Sequence, residues 1–371
     1  MKQFLLLLVI FATVYANAAG SLVMVRADKD EEYLSSPEKM KFNDLDASFD
    51  KNKDTIIIIH GWLNDYKEAK RVCKEVIKPA REVFGNSNYV GFHWPSLDAW
   101  FGSAVRHADK AGKYLVHTLE HITELYKGSN HKIHIFCHSL GARVTLDALT
   151  RSGIEKTALG KVCFTGAAVA NDSFSKSFSG ANKSGQEMNY IYFSKKDGVL
   201  SNWYALYEEL FNIVLLDSEK EYTKEEFLEA LGRNGQKQAL KDFVEWDLQA
   251  QMDYLNKIDK QMEERAVPET ELDIILTEAL ERSKKNAMGL TGSTLYGVGT
   301  KIANKDCHHD VDEHSDYWNS KMVIKICSDM KKTPTEDEEK KSSRHSHSCG
   351  CIGIIFPLLV ATVFVCKKFN A

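Results

Sequence analysis

Short β-rich runs recur through the first half of this chain: Leu22 to Val25, Thr55 to Ile59, Tyr89 to His93, Lys132 to Cys137, Lys161 to Thr165 and Asn189 to Ser194. Several are apolar at successive positions rather than at every second one. Successive side chains of a strand point to opposite faces of a sheet, so such runs demand cover on both sides. Helical patterns fill the gaps, as in Lys67 to Phe84 and Ala104 to Tyr126. Strand and helix in repeated order predict an α/β chain with a mostly parallel central sheet covered by helices.

From about Tyr207 to Ser283 the rhythm becomes purely helical. Thr223 and Glu226 make a capping-box pattern, and Leu240, Val244, Leu248, Leu255, Ile258 and Met262 keep a helical stripe. Pro268 is expected to start another helix. Residues 207–286 therefore read as a helical insertion between a first core part, 19–206, and a last one, 287–332, that holds the final strand. It is either a cap near the strand ends or a solvated excursion with no role in substrate binding.

The 371 residues carry 48 basic and 52 acidic side chains without a basic stripe, which excludes the electrostatic footprint of a nucleic-acid binder. Both ends differ from the middle. Lys2, the apolar run Phe4 to Ala12 and Ala16-Asn17-Ala18 read as a cleaved secretory signal over 1–18. Glu336 to His347 lies in a polar tether, 333–348, before an uncharged apolar run from Cys349 to Cys366. As a helix that run is about 27 Å long, enough to cross a bilayer core. Lys367 and Lys368 open a short cytosolic tail, 367–371, on a type I single-pass membrane protein. Lipid anchoring, secretion and a buried C-terminal helix are the alternatives. The expected location is the secretory pathway, at the cell surface or an internal membrane. Cys349, Cys351 and Cys366 are open to acylation, and Cys307 with Cys327 is the pairing expected of the remaining cysteines. Asn171-Asp-Ser173 and Asn182-Lys-Ser184 are glycosylation sequons.

The chemistry centres on Lys132-Ile-His-Ile-Phe-Cys-His-Ser-Leu-Gly-Ala-Arg143, a strand running into a tight turn and a helix. A serine on such a turn needs small residues two before and two after it, so that strand and helix can pass closely. Cys137 and Gly141 meet that need around Ser139, the candidate nucleophile. A second run, Thr-Ile-Ile-Ile-Ile59, ends in His60-Gly61-Trp62, where this architecture draws an oxyanion donor. The amides of Trp62 and Leu140 are the expected pair. His60 and His138 flank strand ends and are read as structural. An acid and then a base should follow the serine. Asp197, in the loop after Asn189 to Ser194, is the preferred acid, and Asp172 is the alternative. Cys307-His-His-Asp-Val-Asp-Glu-His-Ser-Asp-Tyr-Trp318 offers His308, His309 and His314 as bases, and its ligand-rich composition also permits a metal. The serine chemistry needs no metal, and no cofactor is implied.

These motifs resemble the α/β-hydrolases, and within them a family of uncharacterised serine hydrolases. The family's small-His-Ser-x-Gly elbow is Cys137-His-Ser-Leu-Gly141 here; its other segments are Trp94-Pro-Ser96, Ser194-Lys-Lys-Asp197, Met288-Gly-Leu-Thr-Gly292 and His314-Ser-Asp-Tyr317. The resemblance runs from about Lys53 to Asp329, interrupted by the helical insertion. It implies an α/β-hydrolase fold with Ser139, Asp197 and His314 as the catalytic set, and it brings no substrate. The expected activity is hydrolysis of carboxylic esters, esterase-like or lipase-like, through an acyl-enzyme. Expected partners are an ester or lipid substrate and, through the tail, a membrane. The alternative is a non-catalytic cell-surface binding protein on the same scaffold.

Overall fold

A computed structural model describes residues 21–97, 101–151, 158–171, 173, 188–207, 234–283, 287–293 and 302–332. The signal segment, Thr223 and Glu226, Asp172, Asn182 and everything from 333 onward, including the apolar run and tail, lie outside the described residues. Among the described residues no helix is long and apolar enough to cross a membrane.

The strands in chain order are β1 (Leu22–Arg26), β2 (Asp28–Lys29), β3 (Glu32–Tyr33), β4 (Thr55–Ile59), β5 (Asn88–His93), β6 (Ile133–His138), β7 (Leu159–Thr165), β8 (Asn189–Phe193) and β9 (Ile302–Asp306). β2 and β3 pair as a small antiparallel hairpin. The others form one parallel sheet in the order β1-β5-β4-β6-β7-β8-β9. After β4 the chain first places β5 on one side and then β6 on the other. That reversal opens a crevice at the carboxyl ends of β4 and β6, the general position of ligand sites in open α/β sheets.

The apolar runs divide between two cores. Ile57 and Ile59 join Val90, Phe92, Ile135 and Cys137 in one cluster; Ile56 and Ile58 join Tyr89, Phe136, Cys163 and Tyr190 in the other. The helices in chain order are α1 (Asn43–Ser48), α2 (Tyr66–Phe84), α3 (Phe101–Leu125), α4 (Gly141–Arg151), α5 (Asn234–Glu245), α6 (Leu248–Glu264), α7 (Glu271–Ser283), α8 (Met288–Thr291) and α9 (Ser320–Lys331). α3 and α4 cover the first face through Ala104, Ala108, Leu115, Val144 and Ala148. α2 and α9 cover the second through Val76, Ile77, Ala80, Val323 and Ile326. This is the parallel, doubly covered sheet of an α/β-hydrolase fold.

Three local expectations need correction. The stripe from Leu240 to Met262 is split between α5 and α6, because Asp247 accepts the Ala250 amide at 2.9 Å and starts a new helix. α7 begins at Glu271, not at Pro268: the Asp273 carboxylate takes the amides of Glu269 and Thr270, both at 3.0 Å, and holds that stretch out of the helix. Cys307 and Cys327 are both free thiols. The Cys307 thiol bonds instead to the Phe193 carbonyl at 2.9 Å, and Cys327 packs in the apolar cluster beneath α9.

Candidate active site

β6 runs its buried residues up to His138, and the chain then turns so sharply that Ser139 takes φ +54° before α4 begins. Such left-handed backbone costs a non-glycine residue of order 1 kcal/mol and persists only where neighbours enforce it. Here the Ser139 amide donates to Thr165 at 3.0 Å, and its carbonyl accepts from Ala142 at 3.0 Å and Ala168 at 3.2 Å. A Cβ at Gly141 would stand 2.6 Å from the His60 carbonyl and 2.7 Å from that of Ile59, so α4 can start this close to β4 only on a glycine. Cys137 does not compete with the serine. Its side chain is wholly buried in the core, and burial pushes the thiol up to about 12.

Gly61 meets Ser139 from the neighbouring strand: a Cβ there would lie 2.8 Å from the serine Cβ. The loop that carries the Trp62 amide therefore passes directly beside the serine. Trp94-Pro-Ser96 holds that loop. The Trp94 indole donates to the His60 carbonyl at 3.1 Å, the Ser96 carbonyl takes the Leu63 amide at 3.0 Å, and the Ser96 hydroxyl takes the Asn64 amide at 3.1 Å. Met288-Gly-Leu-Thr-Gly292 ties down the other side. The Met288 amide donates to Val169 at 2.8 Å and the Gly289 amide to Ala167 at 2.9 Å, while the Gly289 carbonyl takes the Ser194 amide at 3.0 Å. The loop from β7 and the strand end that leads to Asp197 are thus fixed to each other.

Asp197 is fully buried; its Oδ1 takes the Leu200 amide at 3.1 Å and its Oδ2 takes His314 Nδ1 at 2.7 Å. A carboxylate can only accept, so Nδ1 carries the proton and Nε2 the lone pair. That Nε2 is buried and has no hydrogen-bond partner among the described residues. His314 and Ser139 line one cavity of about 840 Å³. Asp172, the alternative acid, lies outside the described residues.

His138 has a role that adjacency to the serine does not reveal. The Trp318 indole, which can only donate, reaches its Nδ1 at 3.1 Å; Nε2 is therefore the protonated nitrogen and donates to the His314 carbonyl at 2.9 Å. Burial and the neighbouring His314 hold His138 well below the ordinary histidine range, so it stays a neutral pin on the backbone of His314. The Tyr-Trp pair that follows the His-Ser-Asp run was the available signal, and its target could not be read without the fold.

The rest of the histidine run disperses. His308 Nδ1 meets Asp306 at 2.8 Å, Asp310 takes Lys321 at 2.9 Å and Lys325 at 2.6 Å, and Asp312 pairs with Lys196. The His308 and His309 rings lie 3.7 Å apart, and among the described residues no three ligand atoms of this run gather within 4.8 Å of one another.

Trp62, Trp203, Met252 and Leu255 supply apolar lining to the cavity, with Asn202 and Asn256 between them and a charged rim that includes Glu68, Arg71 and Lys196. Met252, Leu255 and Asn256 belong to α6, so the helical insertion contributes directly to the wall facing Ser139. The volume lies in the range of sites for drug-sized molecules.

No curated protein matches the chain. A family model described as "Alpha/beta hydrolase of unknown function (DUF900)" matches residues 38–246, a span that includes Gly61, Ser139 and Asp197 and ends before His314. With more than half of its length matched and the parallel sheet in place, the chain belongs to this α/β-hydrolase family of unknown function.

Proposed function

We propose that this protein is a serine hydrolase that cleaves carboxylic esters through an acyl-enzyme, with Ser139, Asp197 and His314 as its catalytic set. The observation that carries the reading is the buried Asp197–His314 contact at 2.7 Å, which leaves an unprotonated Nε2 in the cavity shared with a serine on a strained turn. His314 Nε2 takes the proton from Ser139 as its Oγ attacks the ester carbonyl carbon. The amides of Trp62 and Leu140 receive the oxyanion, aided by the positive N-terminal end of α4. As the tetrahedral adduct collapses, the alcohol leaves with the proton held by His314. Water then attacks the acyl-enzyme, giving its proton to His314, and the acid departs as Ser139 regains one. Asp197 remains a carboxylate throughout and stabilises the imidazolium. Apolar walls from Trp203, Met252 and Leu255 suit an acyl chain, and the apolar run Cys349 to Cys366 would hold the enzyme at a membrane in the secretory pathway.

The test is labelling by a fluorophosphonate probe, followed by turnover of a panel of soluble esters and phospholipids. Labelling and turnover are expected in the wild type and absent in Ser139→Ala. Equal labelling of the two proteins, or none of the wild type, overturns the assignment.

A further inference from the structure

On the far side of β4 a second constellation lies outside the catalytic set. Asp28, just past β1, Glu31, in the β2–β3 turn, and His93, the last residue of β5, bring one ligand atom each within 4.8 Å of one another. His93 is completely buried, and its Nε2 has no hydrogen-bond partner; it stands 3.5 Å from Asp28 Oδ1 and 3.5 Å from Glu31 Oε1.

The neighbouring hydrogen bonds decide what that nitrogen carries. His60 Nδ1 lies 2.9 Å from the Gly61 carbonyl, which can only accept, so His60 is protonated there. His60 Nε2 is then a lone pair, in keeping with the Trp94 amide donating to it at 3.3 Å. The contact of 3.0 Å between His60 Nε2 and His93 Nδ1 therefore needs its proton on His93 Nδ1. His93 Nε2 is then the ring nitrogen that makes no hydrogen bond, and it faces two carboxylate oxygens. The opposite tautomers would set a His60 lone pair against the Gly61 carbonyl and forfeit the Trp94 bond.

Three potential ligand groups thus face one another, His93 and Asp28 buried and Glu31 half-buried. Arg26 balances one of the two carboxylates, donating from Nε to Asp28 Oδ1 at 3.1 Å and from Nη2 to Oδ2 at 2.9 Å, which leaves Oδ1 one further lone pair. Glu31 Oε1 takes the Tyr66 amide at 2.9 Å, while its Oε2 is buried with no hydrogen-bond partner. Two orphaned atoms and an excess negative charge in one spot are costly for a folded chain.

We propose that Asp28, Glu31 and His93 form a binding site for a divalent transition cation of the zinc class, held by Asp28 Oδ1, Glu31 Oε1 and His93 Nε2. Ligands about 2.1 Å from zinc at tetrahedral angles stand about 3.4 Å from one another, which matches the two contacts of 3.5 Å. Imidazole with two carboxylates suits such an ion better than calcium, which takes six to eight oxygens. The tautomer of His93 is fixed from behind by His60, as outer-shell partners of ligating histidines usually do. His60 in turn donates to Gly61, so the ion would brace the loop beside Ser139 from a distance without entering the reaction.

The experiment titrates the purified full-length chain, stripped with a chelator, first with Co²⁺ alone and then with Zn²⁺ alone. Bound metal is counted, the visible spectrum recorded and the thermal midpoint followed. One equivalent of Co²⁺ with the absorption of a low-coordinate site, displaced by Zn²⁺, is expected, with a rise in the midpoint. Glu31→Gln and Asp28→Asn should each weaken that equivalent by at least about 100-fold, a loss at or beyond the top of the range for an outer-shell partner. A His308→Ala, His309→Ala double variant should retain it. A wild type that takes up neither ion overturns the proposal, and means that Glu31 and His93 share a proton instead. Uptake that survives Glu31→Gln and Asp28→Asn but vanishes with His308 and His309 overturns it equally.

Discussion

The charge relation between Asp197 and His314 is the most exposed part of the proposed chemistry at the scale of single residues. An asparagine at 197 is nearly isosteric, yet its amide can donate to Nδ1 and so favour the tautomer with the proton on Nε2, where no base remains. Asp197→Asn is expected to lower ester turnover by about four orders of magnitude, as loss of the orienting acid does in other triads, with the thermal midpoint little changed. A fall of less than about tenfold in kcat would mean that another acid, Asp172 first among them, serves the histidine. Ser139, Asp197 and His314 could be named as candidates from the sequence because each sits in a local pattern: an elbow, a loop after a strand, a His-Ser-x-Tyr run. The pinning of His314 by His138 and Trp318 was not, since those partners are 180 positions apart and meet only through the sheet.

Two predictions belong to the elements. α4 packs its first turn against the end of β4 through bare backbone, so Gly141→Ala drives a Cβ to 2.6 Å from the His60 carbonyl. The expected cost is about 1–3 kcal/mol in urea denaturation, typical of overpacking, and an unchanged midpoint would show that the helix can shift freely. The other concerns the start of β4. The nearby His134 imidazole, 3.8 Å away, together with hydrogen bonds from the Lys132 amide at 2.9 Å and His131 at 3.0 Å, holds the Asp54 carboxyl well below its usual range. Because its folded-state value is depressed, the stabilisation is fully present above the unfolded value of about 3.9 and is lost as pH falls below it. Wild type should therefore lose stability more steeply than Asp54→Asn between about pH 5 and pH 2, read as urea midpoints across that window. Parallel acid limbs would remove Asp54 as the cause. Most strands were legible here because continuous apolar runs have few other uses. The β2–β3 hairpin was not: strands of two residues carry no periodicity, and their pairing rests on a turn in which Asp30 and Glu31 take φ 55° and 61°.

For the whole molecule, chemistry and place are separable. The proposed catalytic groups all lie within the described sheet and its loops, upstream of the end of α9 at Lys331. A chain ending before Cys349 is therefore expected to move from the membrane fraction to the soluble one while keeping its kcat/KM on a small soluble ester. Its rate on phospholipid in a bilayer should drop, because anchoring concentrates the enzyme at the surface. Aggregation of the shortened chain, or loss of soluble-ester turnover, would mean that the segment packs on the folded domain as a helix and does not anchor it.

The sequence by itself determined the class of architecture and picked out the candidate residues of the site, because both are written in short-range patterns. A buried parallel strand must be apolar at successive positions, and a nucleophile turn must have small neighbours. Only the tertiary structure decided what depends on distant residues meeting. It set α6 in the wall of the cavity, where sequence left the insertion equally a cap or an excursion. It separated His314 from His308 by giving one Asp197 and the other Asp306. It gathered Asp28, Glu31 and His93 into one cluster although β1 and β5 are far apart along the chain, since parallel neighbours in this sheet are joined by long crossovers. Periodicity records how a segment is covered, and it carries no information about which segment covers it.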